Sequence, residues 1–245
     1  MDAGTLALLL LLLFAGALLY SSVGHAGASA YLAAMALLSV APETLKPTAL
    51  ALNVCVASFA VFRYARAGLI DLRVAALCIV GSAPMAWLGG GLALPAEWFR
   101  LALGLMLLLA ALRLWLPEPV AAGPVAPPSA WKLPLAGAGI GLAAGLTGTG
   151  GGIFLSPLLV FMRWVEIRRS LGTASLFILC NSAAGLAGNF ASLRKLPPEL
   201  PWMIGAVMLG AVLGTWLGIA RYRQPGLRRA LGLVVAIAGA KLALS

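Results

Sequence analysis

Carboxylates are scarce in this chain, and none stands in the middle of a hydrophobic run. Seven of 245 residues are acidic (Asp2, Glu43, Asp71, Glu97, Glu118, Glu166 and Glu199), each at or near the end of an apolar segment. That argues against a carboxylate Na⁺ site, a carboxylate proton relay and cationic substrates. There are only three cysteines (Cys55, Cys78 and Cys180), each inside a hydrophobic segment and at no metal-ligand spacing. They read as small packing residues, so no metal and no cofactor is expected. Histidine occurs once, at His25. Charge of any kind is rare: 10% of residues, against roughly 25% in soluble domains.

What fills the chain instead is apolar sequence, 62% of residues with a mean hydropathy of +1.02, which marks an integral membrane protein. The net charge of +10 is spread over short loops such as 63–73, 163–169 and 221–229. Such loops are topology signals and lipid-headgroup contacts, and they do not form a nucleic-acid surface. Residues 6–19 resemble a secretory signal, but Asp2 stands where such a signal carries Lys or Arg, and more membrane sequence follows. A retained first helix is the better reading.

Ten hydrophobic segments are expected, at about 4–20, 26–41, 47–63, 73–94, 99–116, 133–147, 151–163, 171–191, 201–220 and 228–244. Several fall short of the roughly 20 residues that cross a bilayer. The short ones flank glycine-rich breaks and read as half-helices or re-entrant hairpins, so eight full spans is an alternative count. Between 117 and 128 stand five prolines, an extended connection near the middle of the chain. The expected division is a first membrane repeat at 1–116, a Pro-rich linker at 117–131 and a second membrane repeat at 132–245.

The two halves match in order. Gly24 and Gly27 pair with Gly148 and Gly151, Thr48-Ala49 with Thr173-Ala174, and Cys55 with Cys180. Gly68–Asp71 pairs with the Leu196–Glu199 region, and Arg100 through Leu105 with Arg228 through Leu233. An internal duplication explains this ordered series better than chance alignment of Ala and Leu. With ten spans, twelve basic residues collect on one face, and only Lys46, Arg100, Arg194, Lys195 and Lys241 on the other. That bias favours inverted repeats with both termini outside. The fold class is therefore an all-α polytopic membrane protein of two five-segment repeats, inverted, with helices broken at Gly-rich motifs.

The main break is Gly148-Thr149-Gly150-Gly151-Gly152, with a weaker copy at 22–28. Unwound backbone at membrane depth is tolerated only where it is buried or lines a cavity. Free N–H groups at a helix N-terminus bind anions, and paired breaks in corresponding halves point to a transporter's binding site. The alternative is close helix packing through small residues, which fits Gly137, Gly141 and Gly145, spaced by four. Four glycines in five positions cost too much helix stability to be packing alone. Thr147 and Thr149 add hydroxyl donors, and His25 can donate to an anion or carry a coupled proton. Asn53, Ser58, Ser175, Asn181, Ser182 and Asn189 are polar residues in apolar segments, where each could instead bond a neighbouring helix. Asn53 and Asn181 lie in equivalent helices. The expected substrate-binding set is Gly24, His25, Gly27, Asn53, Thr147, Gly148, Thr149, Gly150, Gly151, Gly152, Ser175 and Asn181.

The pattern Gly141-x-x-x-Gly145-Leu146-x-Gly148-x-Gly150-Gly151-Gly152, continued by Pro157-Leu158-Leu159 and by Arg169 through Leu176, resembles the TauE/SafE sulfite-exporter family. Tyr20 through Met35 resembles the first-repeat motif of one branch, with His25 and Ala28 where much of the family is richer in glycine. The resemblance implies a bacterial inner-membrane transporter of sulfite, sulfoacetate or related organosulfonates. A secondary transporter working by alternating access is thus expected, with a channel-like anion facilitator as the alternative. An intramembrane serine enzyme is set aside: Ser22 and Ser29 lie too near His25 in sequence, and no Gly-x-Ser-x-Gly surrounds them. The partners expected are a small anion and the bilayer, with a coupled proton and a homodimer as open alternatives.

Overall fold

A computed structural model describes residues 1–22, 25–116, 125–126, 129–220 and 225–244. The first half contributes α1 (Ala3–Ser22), α2 (Ala28–Leu37), α3 (Pro42–Arg66), α4 (Leu72–Gly91) and α5 (Ala96–Trp115). The second contributes α6 (Lys132–Thr147), α7 (Gly152–Phe161), α8 (Ile167–Gly188), α9 (Leu200–Ala220) and α10 (Pro225–Leu244), with a short 3₁₀ turn at Phe190–Lys195. No strand occurs among the described residues. Most of the expected Pro-rich linker, and Gly24, lie outside them.

Helix is the form this composition dictates, because it satisfies every backbone group inside one segment where no water is at hand. Five helices (α1, α3, α4, α5 and α8) are long and apolar enough to cross a membrane. Their outer faces carry exposed Leu8, Leu11, Val80, Leu109 and Trp98, a surface that suits lipid. The chain is an all-helical, multi-pass membrane protein.

The helices run 20, 10, 25, 20 and 20 residues in the first half and 16, 10, 22, 21 and 20 in the second. The two ten-residue helices, α2 and α7, fall at the same place in each series. At about 15 Å each they cannot cross a hydrocarbon core of about 30 Å. The main packing pairs are α4 with α6, α1 with α9, α5 with α10, α4 with α8 and α3 with α8. Exchanging each helix for its counterpart in the other half turns α4–α6 into α9–α1 and α4–α8 into α9–α3. It leaves α5–α10 and α3–α8 unchanged. All of these pairs are present.

Close packing comes from missing side chains. A Cβ at Gly137, Gly141 or Gly145 of α6 would overlap the carbonyl oxygens of Cys78, Ser82 and Ala86 on α4. In return, one at Gly81 of α4 would overlap Pro134 O. On its other side α4 meets α8 the same way, Gly90 against Gly185 and Gly188 against Trp87 O. The packing reading of the four-spaced glycines therefore holds. Asp71 fixes the start of α4, accepting from Val74 N–H at 3.0 Å, while its own N–H donates to Thr173 Oγ1 on α8 at 3.1 Å. Helix α2 is enclosed almost completely, Ala28 through Ala36 being buried against α1, α3 and α10.

Candidate functional site

Each short helix begins at a glycine that only a left-handed backbone could place there. Gly27, with φ of 104°, precedes α2, and Gly151, with φ of 78°, precedes α7. The expected pairing of these two glycines thus coincides with a shared local geometry. Neither N-terminus is capped by a side chain. The leading N–H groups of α2 and α7 have no acceptor within their own helices, and each N-terminus carries about half a positive charge.

In the second break, Gly148 (φ 82°) closes α6 by donating to Ala144 O at 2.8 Å, and Gly150 (φ 73°) follows. Three left-handed glycines in four residues reverse the chain in a space that a Cβ would fill. At Gly150 a Cβ would collide with Asn53 Nδ2 and crowd Ser182 Oγ; at Gly151 it would strike Ile140 and Phe177. Thr147 donates to Ala143 O at 2.7 Å, and its hydroxyl lies 3.1 Å from that of Thr149. Both threonines are buried.

In the first break the fillers are side chains. Tyr31 lies beneath Gly27 and donates its hydroxyl to Ala26 O. The hydroxyls of Tyr20 and Ser29 meet at 2.5 Å, and His25 N–H donates to Tyr20 O at 2.9 Å. The His25 ring stands edge-on to Tyr20, with centroids 6.4 Å apart.

The two breaks touch. His25 Nε2 lies 3.1 Å from Gly152 O, 127 residues away in the chain. A carbonyl can only accept, so Nε2 carries the proton in this contact. Depth follows from the helices alongside. Asn53 and Ile178, which border Gly150, are each the twelfth residue of α3 and α8. That places them about 17 Å along helices that bracket a core of about 30 Å.

The structure thus brings together His25, Gly27, Asn53 and residues 147–152. Asn53 Nδ2 donates to Ser182 Oγ at 3.3 Å, while its fully buried Oδ1 has no partner among the described residues. Asn181 turns elsewhere, accepting from Ser82 Oγ on α4 at 2.7 Å, with its Nδ2 unpartnered among the described residues. Asn53 and Asn181 therefore serve different contacts, and the residue of α8 at Asn53's own helix position is Ile178. The Ser175 hydroxyl donates back to Leu171 O at 2.9 Å. Ser182 was visible in the sequence only as one polar residue among several, and Ser82 carried no signal.

Lys46 is the larger surprise. By sequence, the third segment begins at about 47 and Lys46 counts among the basic residues of one membrane face. Helix α3 begins five residues earlier, at Pro42, and Lys46 is buried at 7% exposure. Its ammonium donates to Gly89 O at 3.0 Å, Gly90 O at 2.8 Å and Leu92 O at 3.5 Å. Its stem passes the second break, where a Cβ at Gly148 would sit 3.3 Å from Lys46 Cγ.

A paired set of helix breaks held inside a multi-pass bundle is the geometry of a transporter. The family profile described as Sulfite exporter TauE/SafE matches residues 8–242. The chain belongs to the TauE/SafE family. It is also 37% identical over 235 residues to the "Probable membrane transporter protein y4hK" of Sinorhizobium fredii (strain NBRC 101917 / NGR234), covering 94% of each chain. No solved structure matches it. As a TauE/SafE protein it is a membrane transporter and not an enzyme. The family-specific run 141–159 coincides with the end of α6, the second break and most of α7.

Proposed function

We propose that this TauE/SafE protein is a secondary transporter of small sulfur-containing anions such as sulfite, sulfoacetate or another organosulfonate. The anion binds between the two breaks, at the uncapped N-termini of α2 and α7, and the halves expose it alternately to the two sides. The observation that carries the reading is the contact of His25 with Gly152, because it joins both N-termini in one place. The absence of Asp and Glu from the buried polar residues described here suits an anion held by amides and hydroxyls. An inverted two-fold relation between the halves is supported by the exchangeable packing pairs and the lopsided distribution of basic residues. A bacterial inner membrane is the matching location, and His25 is the group through which a proton would couple.

Sulfite and organosulfonate flux into liposomes containing the purified protein tests the proposal. Flux should saturate and should be abolished by Gly151→Leu, which forces a large side chain into a left-handed position against Phe177. Flux that survives this change removes the assigned site. Flux through the intact protein that ignores an imposed proton gradient and is untouched by His25→Ala selects a channel-like facilitator instead.

A further inference from the structure

A lysine buried within a membrane-spanning helix needs a reason, because burying an ammonium there is costly unless something answers its charge. In soluble proteins the usual answer is a carboxylate, and none among the described residues pairs with Lys46. Its three partners are carbonyl oxygens from the last turn of α4 and the residue following it. The C-terminus of a helix offers about half a negative charge, so about half of the ammonium's charge is left unanswered. Lys241 shows the contrast. It holds the end of α2 through Ala36 O and Leu37 O, each at 3.1 Å, yet it is exposed and can be solvated.

The surplus positive charge lies beside the second break. The α4 turn that holds the ammonium packs on the last turns of α6, with Gly89 against Leu142, Gly145 and Leu146. The Lys46 stem itself lines Gly148. Two residues on, the fully buried Thr48 hydroxyl has no partner among the described residues, whereas its counterpart Thr173 donates to Arg169 O and accepts from Asp71 N–H. The N-terminal part of α3 therefore carries an under-neutralised cation whose stem lines Gly148 and, two residues on, an unsatisfied buried hydroxyl.

We infer that Lys46 is a specificity-determining residue, the fixed charge that makes the second break favour doubly charged anions over singly charged ones. The inference rests on the proposed anion site. The ammonium acts through its field without leaving the α4 carbonyls, so each additional negative charge on the substrate is rewarded in a poorly screened interior.

The test compares two probes that share a sulfur oxyanion head but differ in charge. One is sulfite in buffer just above neutral pH, where its doubly charged form predominates; the other is methanesulfonate, which is singly charged. Concentration dependence of uptake is measured for the wild-type protein, Lys46→Gln and Lys46→Arg in liposomes. The wild type should favour sulfite, and Lys46→Gln should weaken sulfite about tenfold more than methanesulfonate. Lys46→Arg should restore the preference. A residue that only closes the end of α4 would weaken both probes alike, so an unchanged sulfite-to-methanesulfonate ratio in Lys46→Gln overturns the inference. If the glutamine variant does not fold, the arginine variant decides: a folded protein that has lost the preference overturns it as well. Failure of the wild type to take up either probe overturns the proposed anion site itself.

Discussion

The two breaks share one backbone device and fill it with opposite materials. Both place a left-handed glycine ahead of a ten-residue helix with no side-chain cap. The first is braced by hydroxyls and rings: Tyr31 under Gly27, Tyr20 against Ser29, and His25 across to Gly152. The second has only the paired hydroxyls of Thr147 and Thr149 within itself, and no ring. It is left-handed at Gly148, Gly150 and Gly151, and side chains of other helices surround it: Asn53 and the Lys46 stem of α3, Ile140 of α6, and Phe177, Ile178 and Ser182 of α8. One break is built to hold its shape through side chains. The other is built from glycines in places where a Cβ would crowd or collide, the form that the proposed anion site requires.

The most severe way to erase this difference is Gly150→Ala. The new methyl must adopt a left-handed backbone and collide with Asn53, which together cost about 2–5 kcal/mol. Sulfite uptake should vanish, and the melting temperature in detergent should fall well below that of the parent. Tyr31→Phe attacks the first break instead by orphaning the buried Ala26 carbonyl, at about 1–3 kcal/mol. It should lower the melting temperature while uptake per folded molecule persists. Uptake lost in proportion to Gly150→Ala would show that the two breaks are not divided into brace and binding surface.

His25 is the link between them, and two substitutions separate its roles. His25→Ala removes the donor to Gly152 O, a loss of about 0.5–1.5 kcal/mol, whereas His25→Gln can keep a side-chain N–H there. Under proton coupling both variants lose the response of uptake to a pH gradient, and only the alanine variant also loses thermal stability. The smallest effect belongs to Gly139→Ala on α6, where a Cβ meets nothing within 4 Å. Its change in stability should stay within about 0.5 kcal/mol, while Gly141→Ala, two residues on and against Ser82 O, should be strongly destabilised. Equal effects would remove the distinction between packing glycines and spare ones.

Much of the architecture was legible because apolar length and breakers are local properties. The ten expected segments coincide with ten helices, mostly to within a few residues. That Gly27 and Gly151 each interrupt a helix was legible too, since glycine is a local breaker. The start of α3 was not legible, because hydrophobicity begins at about 47 while the helix begins at Pro42 and so takes in Lys46. The contact of His25 with Gly152 and the split between Asn53 and Asn181 depend on how distant helices rotate about their axes. No spacing along the chain encodes that rotation.

The glycine seams on both sides of α4 have a mechanical consequence. Where backbone lies directly on backbone, no layer of rotamers is available to yield, so α4 cannot slide a fraction of a turn past α6 or α8 without steric overlap. These three helices behave as a welded plate. The second break hangs from the end of α6, so a tilt of α4 reaches the glycine run undamped, and the compliance of the molecule must lie in the contacts outside that plate.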